Sequence, residues 1–138
     1  SAMALLEPTI PDEIELKRRF ERVPQIEGWP RELNQAFLTV LRNAVEAIDG
    51  AGVVSAQTIA IEDRVLVRVR DTGRGMSEEK AKHLFDMAWS EESGRTKMRM
   101  GLCAAHAITQ KHGGSIEVSS TIGEGTTVTF TFPIGPRV

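Results

Sequence analysis

Cysteine and aromatic residues are scarce in this chain of 138 residues, which has one cysteine, Cys103, no tyrosine and an aromatic share of 5%. A lone cysteine cannot close a disulfide within the chain and leaves no zinc site of four thiolates, so we expect a reducing, cytoplasmic location. The low aromatic content predicts a core of mainly aliphatic side chains.

Long hydrophobic runs and an excess of one charge are also missing. No apolar stretch approaches the roughly 20 residues that span a bilayer, so we expect no membrane contact by this domain. The 17 basic and 19 acidic residues leave a formal net charge of -2, which supplies no general attraction for nucleic acid. Ordinary shares of hydrophobic (41%) and charged (26%) residues exclude a disordered tail and a coiled-coil rod, and the length suits one domain around one core.

Periodicity divides the chain into a lead-in and a folded domain. Residues 1–12 contain Pro8 and Pro11 and carry no period, so they are predicted to be a poorly ordered lead-in. Its first residues, Ser1-Ala2-Met3, are typical of a cloning remnant. Residues 13–138 are predicted to form the domain.

Three helices are predicted in this domain. Apolar residues at three- and four-residue steps favour a long helix from Trp29-Pro30 to Asp49-Gly50. Ser77, followed by two glutamates, begins a second helix that should end near Phe85. A third, apolar helix is expected from Leu102 to Lys111, where a histidine and two glycines follow.

Alternating and β-branched segments predict the strands. Residues 87–100 show neither period and are rich in Ser, Glu, Arg and Lys, which predicts a mobile loop. The expected strands are a weak one near Ile14–Phe20, a short one at Gln25-Ile26, a hairpin of Gln57–Glu62 and Val65–Arg70, and a final pair, Ile116–Ser119 and Thr127–Phe132.

The turn Asp71-Thr72-Gly73-Arg74-Gly75 follows the second hairpin strand, and the residues alone leave two explanations open. Glycine is common wherever the backbone needs a positive φ, so the segment could be no more than a tight connection. Alternatively, the Asp71 carboxylate at the end of a buried strand accepts a hydrogen bond from a ligand amino group, while the glycines let the ligand approach the backbone.

Asn43 stands inside the long helix, although asparagine is a poor helix former. It is either a satisfied polar residue at the core boundary or an amide-oxygen ligand of Mg²⁺, which takes its other ligands mainly from water and substrate phosphates. Glu46, one turn further on, is either a surface charge or the holder of a metal-bound water.

The order and spacing of these motifs resemble the ATP-binding catalytic domain of sensor histidine kinases, in the superfamily shared with gyrase, the mismatch-repair ATPases and the large ATP-dependent chaperone. The resemblance covers about Ile14 to Ile134 and implies a Bergerat-type α/β two-layer sandwich, with a mixed, mostly antiparallel sheet packed on three helices. The similar segments are Leu41–Ile48 (N box), Asp71–Met76 (G1 box), Leu84-Phe85 (start of the F box), Gly101-Leu102 (end of the G2 box), Lys111–Gly114 and Gly123–Thr127.

On the adenine side of an ATP site, the resemblance gives each of five residues a role. Asp71 would bond the adenine amino group, and Thr126 would reach the inner wall of the pocket through a water. The glycines of the G1 box, with the residue that follows them, would shape the adenine pocket: Gly73, Gly75 and Met76.

On the phosphate side, the resemblance implies that Asn43 coordinates Mg²⁺, with Glu46 beside it. The helix opening at Gly101-Leu102 would aim free N–H groups at the phosphates. Residues 87–100 would form the ATP lid, whose basic residues either contact the phosphates or only solvate the loop: Arg95, Lys97 and Arg99.

The chain departs from the family pattern in three places. Thr39 occupies a position where the family usually has a second asparagine. The G2 box usually has three glycines and keeps only Gly101 here. The residues after Leu84-Phe85 lack the Pro-Phe and Thr-Lys elements of the F box. The last two departures concern the lid and the approach of the backbone to the phosphates.

The histidines bear on the phosphate acceptor. His83, His106 and His112 are followed by Leu, Ala and Gly, whereas a histidine kinase usually has an acidic residue after the phosphorylated histidine. The acceptor is therefore expected on a dimerisation or histidine phosphotransfer domain of the same full-length protein, with a response regulator downstream. The resemblance thus implies a protein-histidine kinase catalytic domain that donates the ATP γ-phosphate. A degenerate, non-catalytic interaction module and an anti-sigma-type serine kinase stay open as alternatives.

Overall fold

The structure, a computed structural model, describes residues 10–20, 31–84 and 96–133, and for residues 18–20 and 96–101 it describes the backbone alone. Most of the expected lead-in and the expected strand at Gln25-Ile26 lie outside the described residues. The first described strand starts at Ile14, where the sequence indicates one.

Within the described residues, five strands form one sheet: β1 (Ile14–Phe20), β2 (Gly52–Ile61), β3 (Arg64–Asp71), β4 (Ser115–Thr121) and β5 (Gly125–Pro133). Their order across the sheet is β1-β2-β3-β5-β4. β1 runs parallel to β2, and the other neighbouring pairs are antiparallel, which confirms the predicted mixed, mostly antiparallel sheet.

The same part of the chain forms three helices: α1 (Arg31–Glu46), α2 (Glu78–Lys82) and α3 (Thr96–Lys111). The Ser77 hydroxyl accepts a hydrogen bond from the Lys80 N–H over 3.1 Å, so the predicted cap of α2 is confirmed. α2 ends at Lys82, earlier than the expected Phe85, because the His83 backbone turns out of the helix. None of these helices has the length and hydropathy to cross a membrane.

The expected start of the third helix at Leu102 is wrong, because α3 begins at Thr96. Residues 96–100 were expected in a loop because the segment 87–100 shows no period and is rich in Ser, Glu, Arg and Lys. Lysine, arginine and methionine are nevertheless good helix formers, and one glycine in a helix costs only about 1 kcal/mol. Residues 96–100 of the expected loop thus belong to α3, and residues 85–95 lie outside the described residues.

The first hairpin is confirmed, but β2 is longer than expected. It begins at Gly52 rather than Gln57, because its first residues pair with β1 on one side and with the end of β3 on the other. Pairing on both sides stabilises a segment whose glycine, serine and alanine weaken the local strand signal. The turn falls at Glu62, which has a positive φ of 53°.

The core lies between the helices and one face of the sheet. Most of it is aliphatic, as the composition predicts, but three phenylalanines meet at its centre. Phe37 of α1 stands edge-on to Phe130 of β5 with 4.9 Å between ring centroids, and Phe130 stacks with Phe132 at 6.3 Å. Helix α1 is therefore packed directly on the middle of the sheet.

We expect Phe130→Ala to destabilise the domain by about 3–5 kcal/mol, because the side chain is fully buried (0% exposed) and its loss leaves a cavity among aromatic neighbours. Ile122→Ala is the matched control, since Ile122 is 68% exposed, and it should change stability by about 0.5 kcal/mol or less. Urea unfolding measures both. Similar losses in the two variants would contradict this account of the core.

Candidate functional site

Asp71 is the last residue of β3, the central strand of the sheet. The side chains of Val65, Val67 and Val69 are buried on the helix side of this strand, and Asp71 continues the row. Only 4% of Asp71 is exposed. The alternation of the strand therefore places a carboxylate at the end of the core, where the sequence predicted it.

Backbone groups on two sides hold the Asp71 carboxylate. The Gly73 N–H donates to Oδ1 over 2.8 Å, which closes a short turn after the strand. Burial raises the pKa of Asp71, whereas backbone hydrogen bonds from Gly73 and Thr126 and the charge of Arg74 lower it. An ionised carboxylate accepts about four hydrogen bonds, so acceptor positions remain for a ligand N–H group.

The turn after Asp71 lies against the C-terminal end of α1. A Cβ atom on Gly73 would lie 2.5 Å from the Ala47 carbonyl oxygen, so only glycine fits there. The Arg74 N–H donates to the same oxygen over 3.0 Å, and the Arg74 Nη2 donates to the Glu46 carbonyl oxygen over 3.0 Å. These contacts fix α1 beside the strand that carries Asp71.

Ser120 of β4 joins three backbone segments beside the carboxylate. Its hydroxyl donates to the Gly125 carbonyl over 3.0 Å and accepts from the Met76 N–H over 2.8 Å. The Thr126 Oγ1 lies 2.8 Å from the Ser120 oxygen. Because the Ser120 proton goes to Gly125, Thr126 donates its own proton to Ser120 and keeps its lone pairs as acceptors.

Two glycines bring the loop after β3 into contact with the turn between β4 and β5. Gly75 has a φ of 71°, and a Cβ atom there would lie 2.0 Å from the Thr121 carbonyl oxygen. Gly125 has a φ of 121°, and its Cβ atom would lie 2.0 Å from the Asp71 carbonyl oxygen. The two loops approach too closely for a side chain at either position.

Asn43 and Glu46 lie in the last two turns of α1. Asn43 is half-buried and Glu46 is exposed, and among the described residues neither side chain makes a hydrogen bond. Thr39, one turn earlier, donates its hydroxyl to the Gln35 carbonyl over 3.0 Å, so its side chain is satisfied within the helix. Residues three apart share a helix face, and an amide oxygen with a carboxylate is a donor set that fits Mg²⁺.

The structure corrects the expected helix start on the phosphate side. Because α3 begins at Thr96, Gly101 lies in its second turn, and its N–H group is not one of the free ones at a helix start. Leu102 is buried in the core, which gives it a packing role. The side chains of the remaining predicted residues lie outside the described part of the chain, and their phosphate contacts stay predictions: Arg95, Lys97 and Arg99.

A cavity of about 830 Å³ lies between α2 and β4. Of the described residues around it, Ser120 is the one that also belongs to the hydrogen-bonded cluster at Asp71. We assign the candidate site to the Asp71 cluster, because specific polar groups converge there. The described lining is Glu78, Glu79, Ala81, Lys82, His83, Val118, Ser119 and Ser120.

The three histidines lie where the sequence predicted them, in a helix or at helix ends. His83 is the C-cap residue of α2, and His106 lies within α3. His112 follows α3, and its Nε2 lies 3.3 Å from Glu32 Oε1 at the start of α1.

Ser120 and Arg74 are absent from the predicted site, although both organise it. Ser120 continues the half-buried row of Ile116 and Val118 on β4. The hydroxyl at the end of this apolar row is the one sequence feature that could have indicated a role for Ser120. Arg74 lies inside the G1 box, but its contacts with α1 join residues distant in sequence, and no local pattern shows them.

We expect Gly125→Ala to cost more stability than Gly123→Ala. Both positions have a positive φ, but a Cβ atom at Gly123 meets nothing within 4 Å, whereas at Gly125 it meets the Asp71 carbonyl. Gly123→Ala should cost about 1–2 kcal/mol for the left-handed backbone alone, and Gly125→Ala about 3 kcal/mol or more. Equal losses in urea unfolding would show that the two loops are not in close contact.

The raised pKa of Asp71 sets the direction of a pH effect. A carboxyl group with a higher pKa in the folded than in the unfolded state stabilises the fold when protonated, and that stabilisation is lost as the pH rises through the folded-state pKa. As the pH falls from 7 towards the ordinary value of about 3.9, the parent should therefore gain stability relative to Asp71→Asn. Urea unfolding of both proteins at several pH values measures the difference in their stability. If the variant gained stability relative to the parent as the pH fell, the raised pKa of Asp71 would be contradicted.

A sequence profile of the family described as histidine kinase-, DNA gyrase B-, and HSP90-like ATPase matches residues 28–136. Sensor histidine kinase ZraS of Escherichia coli (strain K12) is 31% identical over 123 residues, which are 87% of this chain and 26% of that protein. The chain thus spans about a quarter of the length of this curated relative.

Solved structures show the same fold. The nucleotide-free catalytic domain of histidine kinase ThkA superposes with a TM-score of 0.79 at 21% identity, over 99% of this chain and 90% of that chain. Full-length ShkA in complex with AMPPNP gives a TM-score of 0.74 at 24% identity, over 96% of this chain and 28% of that chain. The family profile matches most of the chain, and the chain has the Bergerat fold of these catalytic domains. The chain therefore belongs to the histidine kinase-, DNA gyrase B- and HSP90-like ATPase family.

Proposed function

We propose that this chain is the catalytic domain of a cytoplasmic two-component sensor histidine kinase, which binds ATP with Mg²⁺ and donates the γ-phosphate to a histidine outside the chain. The observation that carries the proposal is the buried Asp71 carboxylate, with acceptor positions left over, beside the helix that presents Asn43. Membership of the ATPase family and the AMPPNP complex of ShkA support a nucleotide as the ligand.

Asp71 recognises the base in this proposal. Adenine presents an amino group that donates a hydrogen bond, whereas guanine has a carbonyl oxygen at the corresponding position. A carboxylate accepts a hydrogen bond from the adenine amino group, whereas it would meet a second acceptor, the carbonyl oxygen, in guanine. The site should therefore prefer ATP to GTP. Thr126, with lone pairs left after its bond to Ser120, supplies an acceptor for the bridging water.

Asn43 would hold Mg²⁺ through its amide oxygen, and Glu46 would hold a metal-bound water. When bound, the ion neutralises charge on the phosphates. The chain itself keeps the Asn43 amide free of a hydrogen-bond partner among the described residues. It also holds α1 against the Asp71 turn through Ala47 and Arg74.

Transfer of a phosphoryl group in such a site depends on positioning and charge neutralisation. An acceptor histidine also needs a group that takes its proton, which in histidine kinases is usually the acidic residue that follows it in the sequence. Leu, Ala and Gly follow His83, His106 and His112 instead. We therefore place the acceptor on the dimerisation domain of the same full-length protein, and a response regulator after it. Neither nucleic acid nor a membrane takes part in the proposed function.

Labelling with ATP that carries ³²P in the γ-phosphate tests the proposal. The isolated chain with Mg²⁺ should stay unlabelled, and the histidine-bearing dimerisation domain of the full-length protein should gain acid-labile label when both are mixed. Acid-stable label on serine would favour the serine kinase instead. Acid-labile label on any of the three histidines of the isolated chain would contradict the proposed acceptor.

Asn43→Ala should remove the magnesium dependence of ATP affinity and leave adenosine affinity nearly unchanged, because the amide meets the metal rather than the base. Thr39→Ala is the matched control on the same helix, since the Thr39 hydroxyl bonds within α1. Calorimetric titrations with and without Mg²⁺ measure both variants. Equal magnesium dependence in the parent and in Asn43→Ala would show that Asn43 is not the ligand.

A further inference from the structure

Arg74 connects the two halves of the proposed site. The base half, Asp71 and Thr126, belongs to the ends of β3 and β5, whereas the metal half, Asn43 and Glu46, belongs to the end of α1. We infer that Arg74 is the positioning residue that sets the distance between the halves, so that one nucleotide meets both. This inference rests on the proposed function.

Arg74 lies in the loop after β3, and its contacts reach two other segments of the chain. Its N–H donates to the Ala47 carbonyl over 3.0 Å, and its Nη2 donates to the Glu46 carbonyl over 3.0 Å and lies 3.4 Å from Asp49 Oδ1. Its own carbonyl accepts from the Gly123 N–H over 2.8 Å. One residue thus links the loop after β3 to the end of α1 and to the turn between β4 and β5.

Among the described residues, Arg74 alone forms hydrogen bonds between the end of α1 and the turn that follows Asp71. Between residues 43–49 and residues 71–76, every hydrogen bond in the described part of the chain has Arg74 as its donor. Gly73 adds contact with Ala47 but no hydrogen bond across the gap. The backbone N–H of Arg74 supplies one of these hydrogen bonds, to Ala47, and its guanidinium group supplies the others, to the Glu46 carbonyl and to Asp49.

The chemistry suits this role. The last carbonyls of a helix lack partners within the helix and carry partial negative charge, so a cation that donates to them stabilises the helix end. The ion pair with Asp49 is weaker support, since both side chains are largely exposed (58% for Arg74 and 83% for Asp49). The backbone carbonyl of Glu46 is the contact that matters, because it belongs to the helix that carries the metal half.

Loss of the guanidinium leaves the hydrogen bonds within each half intact and removes only the smallest of the effects that lower the pKa of Asp71. The Gly73 bond to Asp71 and the Ser120 bond to Thr126 do not involve Arg74, and its backbone N–H still reaches Ala47 in any variant except proline. The base half should therefore bind as before, while the metal half is held less well relative to it. Adenosine needs only the first half, and ATP with Mg²⁺ needs both.

The experiment is calorimetric titration of Arg74→Ala and Arg74→Gln with two probes, adenosine and ATP with Mg²⁺. We expect about a five- to twentyfold loss of affinity for ATP with Mg²⁺ and adenosine affinity within about twofold of the parent. Arg74→Lys, which keeps a cationic donor, should recover part of the loss. The matched control is Arg64→Ala at the other end of β3, whose ion pair with Asp63 spans 3.8 Å and which should bind both probes as the parent does.

Equal losses for the two probes, or unchanged affinity for ATP with Mg²⁺ in both variants, would overturn the positioning role. If Arg74→Ala does not fold, Arg74→Gln decides, because it keeps length and a neutral donor. A parent chain that binds no ATP would contradict the proposed function and this inference together. A parent that binds ATP through Asp71, with Arg74 variants that behave like Arg64→Ala, would contradict this inference alone.

Discussion

The structure around the candidate site depends on the burial of one carboxylate, that of Asp71, at the end of the central strand. A buried charge needs hydrogen bonds, and here backbone N–H groups supply them from the Gly73 turn and from Thr126. Those donors reach the carboxylate only because the surrounding loops pack backbone against backbone. The glycines at positions 73, 75 and 125 make that packing sterically feasible.

The two layers of the domain contribute different chemistry to the proposed site. The sheet supplies fixed acceptors, Asp71 and Thr126, whose geometry is set by strand pairing and by Ser120. The helix layer supplies Asn43 and Glu46, whose position depends on how α1 packs on Phe130 and how its last turn meets Arg74. In the proposed site, base recognition and metal binding can therefore be perturbed by separate substitutions.

Much of the fold was predictable because its signals are local. The period of α1, the Ser77 cap of α2 and the alternation of β3 each depend on neighbouring residues, and the structure confirms them. The beginning of β2 and of α3 was not predictable in this way. β2 is extended by pairing with β1 and β3, and α3 begins in a polar segment that has helix-forming residues but no apolar period.

The same distinction applies to the site. Asp71 could be named as a candidate because it ends a buried strand within a glycine-rich turn, and Asn43 because it interrupts an apolar helix. Ser120 and Arg74 could not, because their hydrogen bonds join segments that are far apart in the chain. Sequence patterns thus indicate which side chains are candidates for binding a ligand, whereas the residues that hold those side chains in place emerge only from the tertiary contacts.

The most direct measurement is a titration of the parent and of Asp71→Ala with ATP and with GTP, with Asp63→Ala, an exposed aspartate at the other end of the hairpin, as control. If the buried carboxylate recognises adenine, Asp71→Ala should lose about 1.5–3 kcal/mol, or about ten- to a hundredfold or more, in ATP affinity and should lose its preference over GTP. Asp63→Ala should keep both. An Asp71→Ala domain that binds ATP as tightly as the parent would contradict the account.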